Sequence, residues 1–381
     1  MKKIFITVMI LYAFNLSAAP KIDYSRAYYV SSVAAAEQVA VFGSFDGNIR
    51  LIDVKNSDII LLDNAHKKPV ISMCISYDGK YLASAGQDDV IIFWDIENYK
   101  EIKRIIKPGM GVRAVALSPK ADKLYIAYPA TIYEYDTKNW VNTEIYEGYK
   151  NSIYSIAVNS SGKILAAGSK TGDIYITDLE KGEITDTYRA GSQLIMSLDF
   201  ATDKDILISG GYDRTVRIYN IGRIRPVKEF SLFKDAVKSV KINNDGTRAA
   251  IGSSDGTAVI YNISSGQVIS QTISEDGEIT SCSAPKSLNF TACGKGTAFQ
   301  EERYGVVSYP SKKGIYRKLY SFQGGDIIIS EKGYINGRGS FGEYISSYNR
   351  GNKETISEIM ANYFRQDRLK VTLPWKSVIL K

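Results

Sequence analysis

Residues 81–95 read YLASAGQDDVIIFWD, an apolar strand, an acidic turn, and a second strand closing on an aromatic and an aspartate. Five other segments lie over it almost without gaps: VAVFGSFDGNIRLID (39–53), LYIAYPATIYEYD (124–136), ILAAGSKTGDIYITD (164–178), ILISGGYDRTVRIYN (206–220) and RAAIGSSDGTAVIYN (248–262). Their next-to-last residues are Ile52, Trp94, Tyr135, Thr177, Tyr219 and Tyr261, spaced by 42, 41, 42, 42 and 42 residues. A fixed period of this length is the mark of a chain built from stacked supersecondary units.

Upstream of these segments lie further short apolar strands closed by turn residues, as in VISMCISYDGK (70–80), YSIAVNSSGK (154–163) and VKSVKINNDGT (237–247). Asp-Gly and Ser-Gly between alternating apolar runs are strong hairpin signals. A fourth strand follows, as in EIKRII (101–106) and EITDTY (183–188). Four antiparallel strands per period of about 42 predict an all-β propeller, one blade per repeat. Twenty-seven tyrosines suit the pleated, half-buried surfaces of such a fold.

The second repeat resembles the WD-repeat (WD40) family. His66, preceded by Ala65 where the family has Gly, stands at the Gly-His position, and Trp94-Asp95 is the Trp-Asp pair. Ser84 and Asp88 lie ten and six residues before the tryptophan. The resemblance implies a buried network of His66, Ser84, Asp88 and Trp94, because an indole N–H and a turn carboxylate buried between blades must be partnered. Repeat five keeps Ser209, Asp213 and Tyr219, and repeats one and six keep the turn aspartates Asp46 and Asp255. Repeat three lacks the turn aspartate.

Extending the period gives ITSCSAPKSLNFTACGKG (279–296), then YGVVSY (304–309) and YRKLYSF (316–322) as the third and fourth strands of a distorted seventh unit. The expectation is a seven-bladed WD40-type propeller over residues 21–322, eight blades being the alternative, with the segment near residues 23–27 pairing in the last blade to close the ring. Residues 323–381 are read as an extension of strands and an amphipathic helix. In KETISEIMANYFRQDRL (353–369), Ile356, Ile359, Met360, Tyr363 and Phe364 share one stripe, with Thr355 and Glu358 at capping-box spacing and Asn352 as the competing cap. This extension resembles a segment that follows WD repeats in some bacterial proteins, through Gly333-Tyr334 and Tyr363-Phe364-Arg365, with Gln366 in place of the family's proline. In several such proteins it adjoins a caspase-like domain, for which this chain has no room.

MKKIFITVMILYAFNLSAAP (1–20) has a basic start at Lys2 and Lys3, an apolar run from Ile4 to Leu16 and the small residues Ser17-Ala18-Ala19. The apolar run falls short of the roughly 20 residues that span a bilayer, so residues 1–19 are read as a cleaved signal peptide and the mature chain as a periplasmic protein without a stable membrane anchor. The net charge of +7 is dispersed, which with export argues against nucleic acid as partner. Three cysteines leave at least one unpaired. Cys282 and Cys293 fall on neighbouring strands and are either disulfide-bonded or two small buried core residues.

The only histidine, His66, is assigned to the structural network, which leaves none for a Ser-His-Asp or Cys-His pair or an imidazole zinc site. No G-x-S-x-G, phosphate loop or Cys-x-x-Cys occurs. Carboxylate-only hydrolysis, or a lyase, stays open. The reading is a non-enzymatic, protein-binding scaffold, monomeric, with no cofactor and no metal. Its alternative is an assembly or maturation accessory of an envelope complex, of the periplasmic nitrate reductase, Tol or outer-membrane type. Stacking the repeats places Tyr29, Ile71, Arg113, Tyr154, Met196, Lys238 and Thr280 at one equivalent position, just inside the inner strands. Side chains this varied, with Arg, Lys and Tyr among them, are what a contact surface at a channel mouth would use.

Overall fold

In the computed structural model the described residues are 28–54, 59–62, 64–273, 278–288 and 291–295, together with strands at 21–22, 304–308, 316–322, 325–330, 334–339, 345–349, 352–355 and 371–372. The chain divides into two units, residues 28–316 and residues 1–27 with 317–381.

The larger unit contains six antiparallel sheets of four strands each, in sequence order within every sheet. The innermost strands are Val30–Ala36, Val70–Ile75, Ala114–Leu117, Ile153–Val158, Ile195–Phe200 and Val237–Ile242. The quoted repeats form the second and third strands, joined by the short turns between them. Alternation along these strands puts one face of each blade against the blade before and the other against the blade after, so both faces are buried and the apolar runs are nearly continuous. The core is accordingly a series of inter-blade layers. Val41, Leu51 and Leu62 of the first blade pack with Leu82, Ile92 and Trp94 of the second. Tyr125, Ile132 and Tyr146 of the third pack with Leu165, Ala167 and Tyr175 of the fourth.

A recurrent serine stitches the centre. One residue bulges from the inner strand's pairing register at Ser31, Ile71, Tyr154, Met196, Lys238 and Thr280, and the residue after it is a serine in each of these strands. Val115 N–H donates to Ser72 Oγ at 3.1 Å, Ser155 Oγ to the Ile195 carbonyl at 3.1 Å, and Val240 N–H to Ser197 Oγ at 3.1 Å. Ser239 Oγ donates to the Cys282 carbonyl. Each bond joins one blade to the next, so the ring is tied at its axis by side chains where no sheet hydrogen bonds can reach.

The expectation of seven blades is corrected here to six. The strands after Ile273 do not make a seventh blade of four. Ile279–Ser283, Thr291–Lys295 and Tyr304–Ser308 lie in the larger unit. The run then continues through Tyr316–Phe322, Gly325–Ser330 and Tyr334–Gly339. Phe322 pairs with Gly325, a two-residue connection of the commonest hairpin length. The larger unit thus holds three described strands after Ile273, one short of the four in each regular blade. The inner strand of this last sheet closes the ring on the first blade: Val33 N–H donates to Ser281 Oγ at 3.1 Å and Thr280 Oγ1 to the Val30 carbonyl at 2.6 Å. The segment at residues 23–27 expected to close the ring lies outside the described residues.

In the smaller unit Tyr334–Gly339 pairs with Gly325–Ser330 and with Val371–Thr372, and Ile345–Asn349 pairs with Lys21–Ile22 and Asn352–Thr355. There is no helix among the described residues. Asn352 and Thr355, read as rival helix caps, belong to a strand in which Thr355 sits opposite Ser346. The helix expected at residues 356–369 and the signal peptide at residues 1–19 lie outside the described residues.

Candidate functional site

The buried network of the second blade is built around Ser84. Trp94 Nε1 donates to Ser84 Oγ at 3.0 Å, and His66 Nε2 lies 2.9 Å from the same oxygen. His66 Nδ1 is 3.2 Å from Asp88 Oδ1, and Asp88 Oδ2 accepts the Lys67 N–H at 2.7 Å. A carboxylate only accepts, so Nδ1 carries the proton, and the serine hydroxyl, already accepting from the indole, donates to Nε2. Every polar atom of the chain of four is then satisfied. Burial works against ionisation of Asp88, but hydrogen bonds from His66 and the Lys67 and Val90 amides hold its carboxyl below the usual range. Gly86 leaves room for this set: a Cβ there would meet Asp88 Oδ1 at 2.4 Å and His66 Nδ1 at 2.5 Å.

Three other blades answer the same burial problem with different chemistry. In the fourth, Tyr149 and Thr177 stand at the histidine and tryptophan positions, and their hydroxyls meet at 3.0 Å. In the fifth, the histidine position is Gly191, and Asp213 pairs with Arg217 at 2.6 Å. The first blade repeats this pair as Asp46–Arg50 at 2.8 Å. The signal was present in the sequence, as Asp followed four residues later by Arg in FDGNIR and YDRTVR. Ser209 and Tyr219, kept from the family pattern, are both buried, and their hydroxyls lie near each other without hydrogen-bond geometry.

The variable ring lies where the inner strands begin. Ile71, Arg113, Tyr154, Met196, Lys238 and Thr280 occupy equivalent places at or beside the bulge. Tyr29 does not. The first blade joins its first two strands through Glu37-Gln38 alone, with Ala36 opposite Val39, whereas the second blade has six residues between the paired Ile75 and Leu82. The shorter hairpin shifts the register by two, so Ser31 takes the bulge position and Tyr29 stands just before the strand, its ring 4.7 Å from that of Phe45 and tilted to it. The ring is lopsided. Hydroxyls occupy the first blade and the closing strand, where Ser31 Oγ donates to the Val70 carbonyl at 2.6 Å. Bulky or cationic side chains occupy the five consecutive blades between. The Arg113 guanidinium lies 4.9 Å over the Tyr154 ring, and Lys238 Nζ lies 5.0 Å over Tyr212. Phe45 and Tyr212 are each nearly half exposed on the same face.

The charges of this face are unequal in their freedom. Its carboxylates are largely absorbed by the turns: Asp89 accepts the Gly109 and Gly111 amides at 2.8 and 3.0 Å, Asp255 those of Lys234 and Thr257 at 2.7 and 3.0 Å, and Asp173 binds Arg189 at 2.8 Å. No ion pair engages Lys67, Lys68, Lys150, Lys170, Arg214 or Lys234 among the described residues. No cluster of three or more His, Cys, Asp or Glu side chains able to hold a metal occurs among the described residues.

Repeated four-stranded blades around an axis, with one complete His–Ser–Asp–Trp network, define a WD-repeat β-propeller. The chain belongs to the family described as IFT122 first beta-propeller, whose model matches residues 33–302. It is similar to the periodic tryptophan protein 2 homolog of Dictyostelium discoideum, 24% identical over 244 residues that cover 62% of this chain and 26% of that protein. It is also similar to the WD repeat-containing protein SL1-17 of Schistosoma mansoni, 25% identical over 49% of this chain and 62% of that one. The target of rapamycin complex subunit LST8 of Bos taurus is 23% identical over 49% of this chain and 60% of that one. The chain thus spans about a quarter of the length of the periodic tryptophan protein it matches.

Proposed function

We propose that this propeller is a non-catalytic scaffold that captures a protein partner on the face where the inner strands begin. One observation carries the reading: five consecutive blades place Ile71, Arg113, Tyr154, Met196 and Lys238 around one rim, while the neighbouring carboxylates are spent in turns. Aromatic, methionine and arginine side chains are the types enriched at interface centres. Carboxylates occupied by backbone amides and arginines are poorly placed to act as the acid–base pair of a hydrolase. The bovine relative's name makes it a subunit of a complex, which accords with a scaffold.

We further infer export to the periplasm, on the basic, apolar and small-residue pattern of residues 1–19. Cell fractionation with N-terminal sequencing of the mature chain tests this, and a retained Met1 would refute it. For the scaffold, the Arg113→Glu, Lys238→Glu double variant is expected to lose at least tenfold in capture of partners from a periplasmic extract. Undiminished capture by the folded variant would remove the partner from this face.

A further inference from the structure

At the ends of the inner strands away from the mouth, the hairpins that lead into the second strands are not all alike. In the second to sixth blades six residues separate the last paired positions, as between Ile75 and Leu82 or Ile242 and Ala249. The first blade has only two, Glu37 and Gln38, and the closing sheet has eight, between Ser283 and Ala292. The two exceptions meet at the seam where the ring closes. There the long connection reaches the short hairpin: the Ser287 amide and hydroxyl donate to Glu37 at 3.2 and 2.7 Å.

Residues 284–288 of the long connection are held from three sides. Ala284 and Leu288 are buried with Ala250 and Ile260 of the sixth blade. Ser287 makes the bonds to the first blade. Lys286 crosses to the fifth, where its Nζ donates to Asp199 Oδ2 at 2.7 Å and to the Phe200 carbonyl, and it also donates to the Ile242 carbonyl of the sixth at 3.2 Å. All three donors of the ammonium are thereby used. Asp199 Oδ1 faces Lys241 Nζ at 3.3 Å. Glu37, Asp199, Lys241 and Lys286 line one cavity of about 110 Å³, so its two carboxylates are matched by two ammonium groups only while Lys286 is in place.

The seam differs from every other joint of the ring. Each other pair of adjacent sheets is consecutive in the chain, whereas the first blade and the closing sheet meet through contacts between residues 248 and 250 apart. A joint with no chain connection is where sub-global opening costs least. We propose that residues 284–288 are a strap that locks the ring across this seam, with Lys286 as its anchor on the fifth and sixth blades and the Ser287–Glu37 contact as its catch on the first. Opening of the seam releases the catch. Loss of the anchor frees the strap to swing, and the catch is lost with it.

Amide hydrogen exchange of the full chain, read by mass spectrometry under native conditions, tests this. Glu37→Ala removes the catch at an exposed position, and Lys286→Met removes the anchor. Each is expected to speed exchange of the seam strands, residues 30–36 and 279–283, by roughly tenfold, the scale of one lost charge-assisted hydrogen bond. The inner strand of the fourth blade, Ile153–Val158, should exchange as in wild type. Because both act through one strap, the double variant should exchange at the seam no faster than the quicker single one. The proposal is overturned if Glu37→Ala leaves the seam as in wild type, if Lys286→Met speeds exchange equally in all blades or only in the fifth and sixth, or if the two effects add. Glu37→Ala alone decides the matter should Lys286→Met fail to fold. None of these readouts depends on partner capture at the mouth.

Discussion

Ser84 and Ser209 occupy the same place in two blades, ten residues before Trp94 and Tyr219, and the structure predicts opposite consequences of changing each to alanine. Ser84 is fully buried, and His66 and Trp94 beside it are 5% and 4% exposed. Removing its hydroxyl strands the indole N–H and the imidazole Nε2 at once, and no water can replace the oxygen in a packed inter-blade layer. An unpartnered buried polar group costs about 1–3 kcal/mol, and the two share one neighbourhood. Ser84→Ala should therefore destabilise by about 2–4 kcal/mol. At roughly 2–3 °C per kcal/mol for a domain of this size, the melting midpoint falls by about 5–10 °C. Ser209 Oγ is buried without a hydrogen-bond partner, so Ser209→Ala removes a polar group already carrying its desolvation penalty. It should lie between neutral and about 1 kcal/mol stabilising. Urea unfolding followed by circular dichroism measures both. A cycle with Trp94→Phe should show a coupling of about 1–2 kcal/mol to Ser84 and none to Ser209. If Ser84→Ala came within about 0.5 kcal/mol of wild type, or Ser209→Ala cost as much as Ser84→Ala, the network would not be the determinant argued for here.

Further outcomes follow from the charge and thiol chemistry. Asp199→Asn leaves the Lys286 ammonium buried beside a neutral amide and should cost about 3–5 kcal/mol; a smaller loss in urea unfolding would mean that the cluster relaxes into solvent. Burial opposes ionisation of both Asp88 and Asp199, but His66 and backbone amides at the first, and Lys241 and Lys286 at the second, keep their carboxyls below the ordinary range. A depressed folded value gives stability that is fully present above the unfolded carboxylate value, about 3.9, and is lost as pH falls through the folded one. The urea midpoint should hold level from pH 7 to about 5 and drop below that, less steeply in Asp88→Asn; a uniform decline from pH 7 would contradict this. Cys282 and Cys293 are bonded across one hairpin, eleven residues apart, so reduction should cost about 2–3 kcal/mol on loop-entropy grounds. Burial pushes the Cys74 thiol up to about 12, so alkylation at pH 8 should label no cysteine in the native oxidised chain and one after unfolding.

What could be read from the sequence divides along a physical line. The blades were legible because each is a local object. Its alternation, its turn residues and its spacing of about 42 are fixed within one repeat, and burial on both faces enforces them in every copy. The end of the array was not, since the number of strands after Ile273 depends on where pairing stops. The Phe322–Gly325 hairpin extends that run with the same local signals that elsewhere end a blade. Register at the centre was half legible. Six of the seven aligned rim positions fall together, but Tyr29 misses because the two-residue Glu37-Gln38 hairpin shortens the first blade without disturbing the spacing of the outer landmarks. The family network is the most instructive case. Read as a motif, it looks eroded outside the second blade. Read as a burial problem, it is solved again by Tyr149 with Thr177, by Asp46 with Arg50, and by Asp213 with Arg217. The Gly191 position shows why the substitutions come in sets. A Cβ there would lie 2.6 Å from Asp213 Oδ2, so a histidine could not be restored in the fifth blade without displacing the carboxylate that now holds Arg217. In the first, fourth and fifth blades the unit of sequence that matters is therefore the compensated pair, and a scan for single consensus residues passes over it.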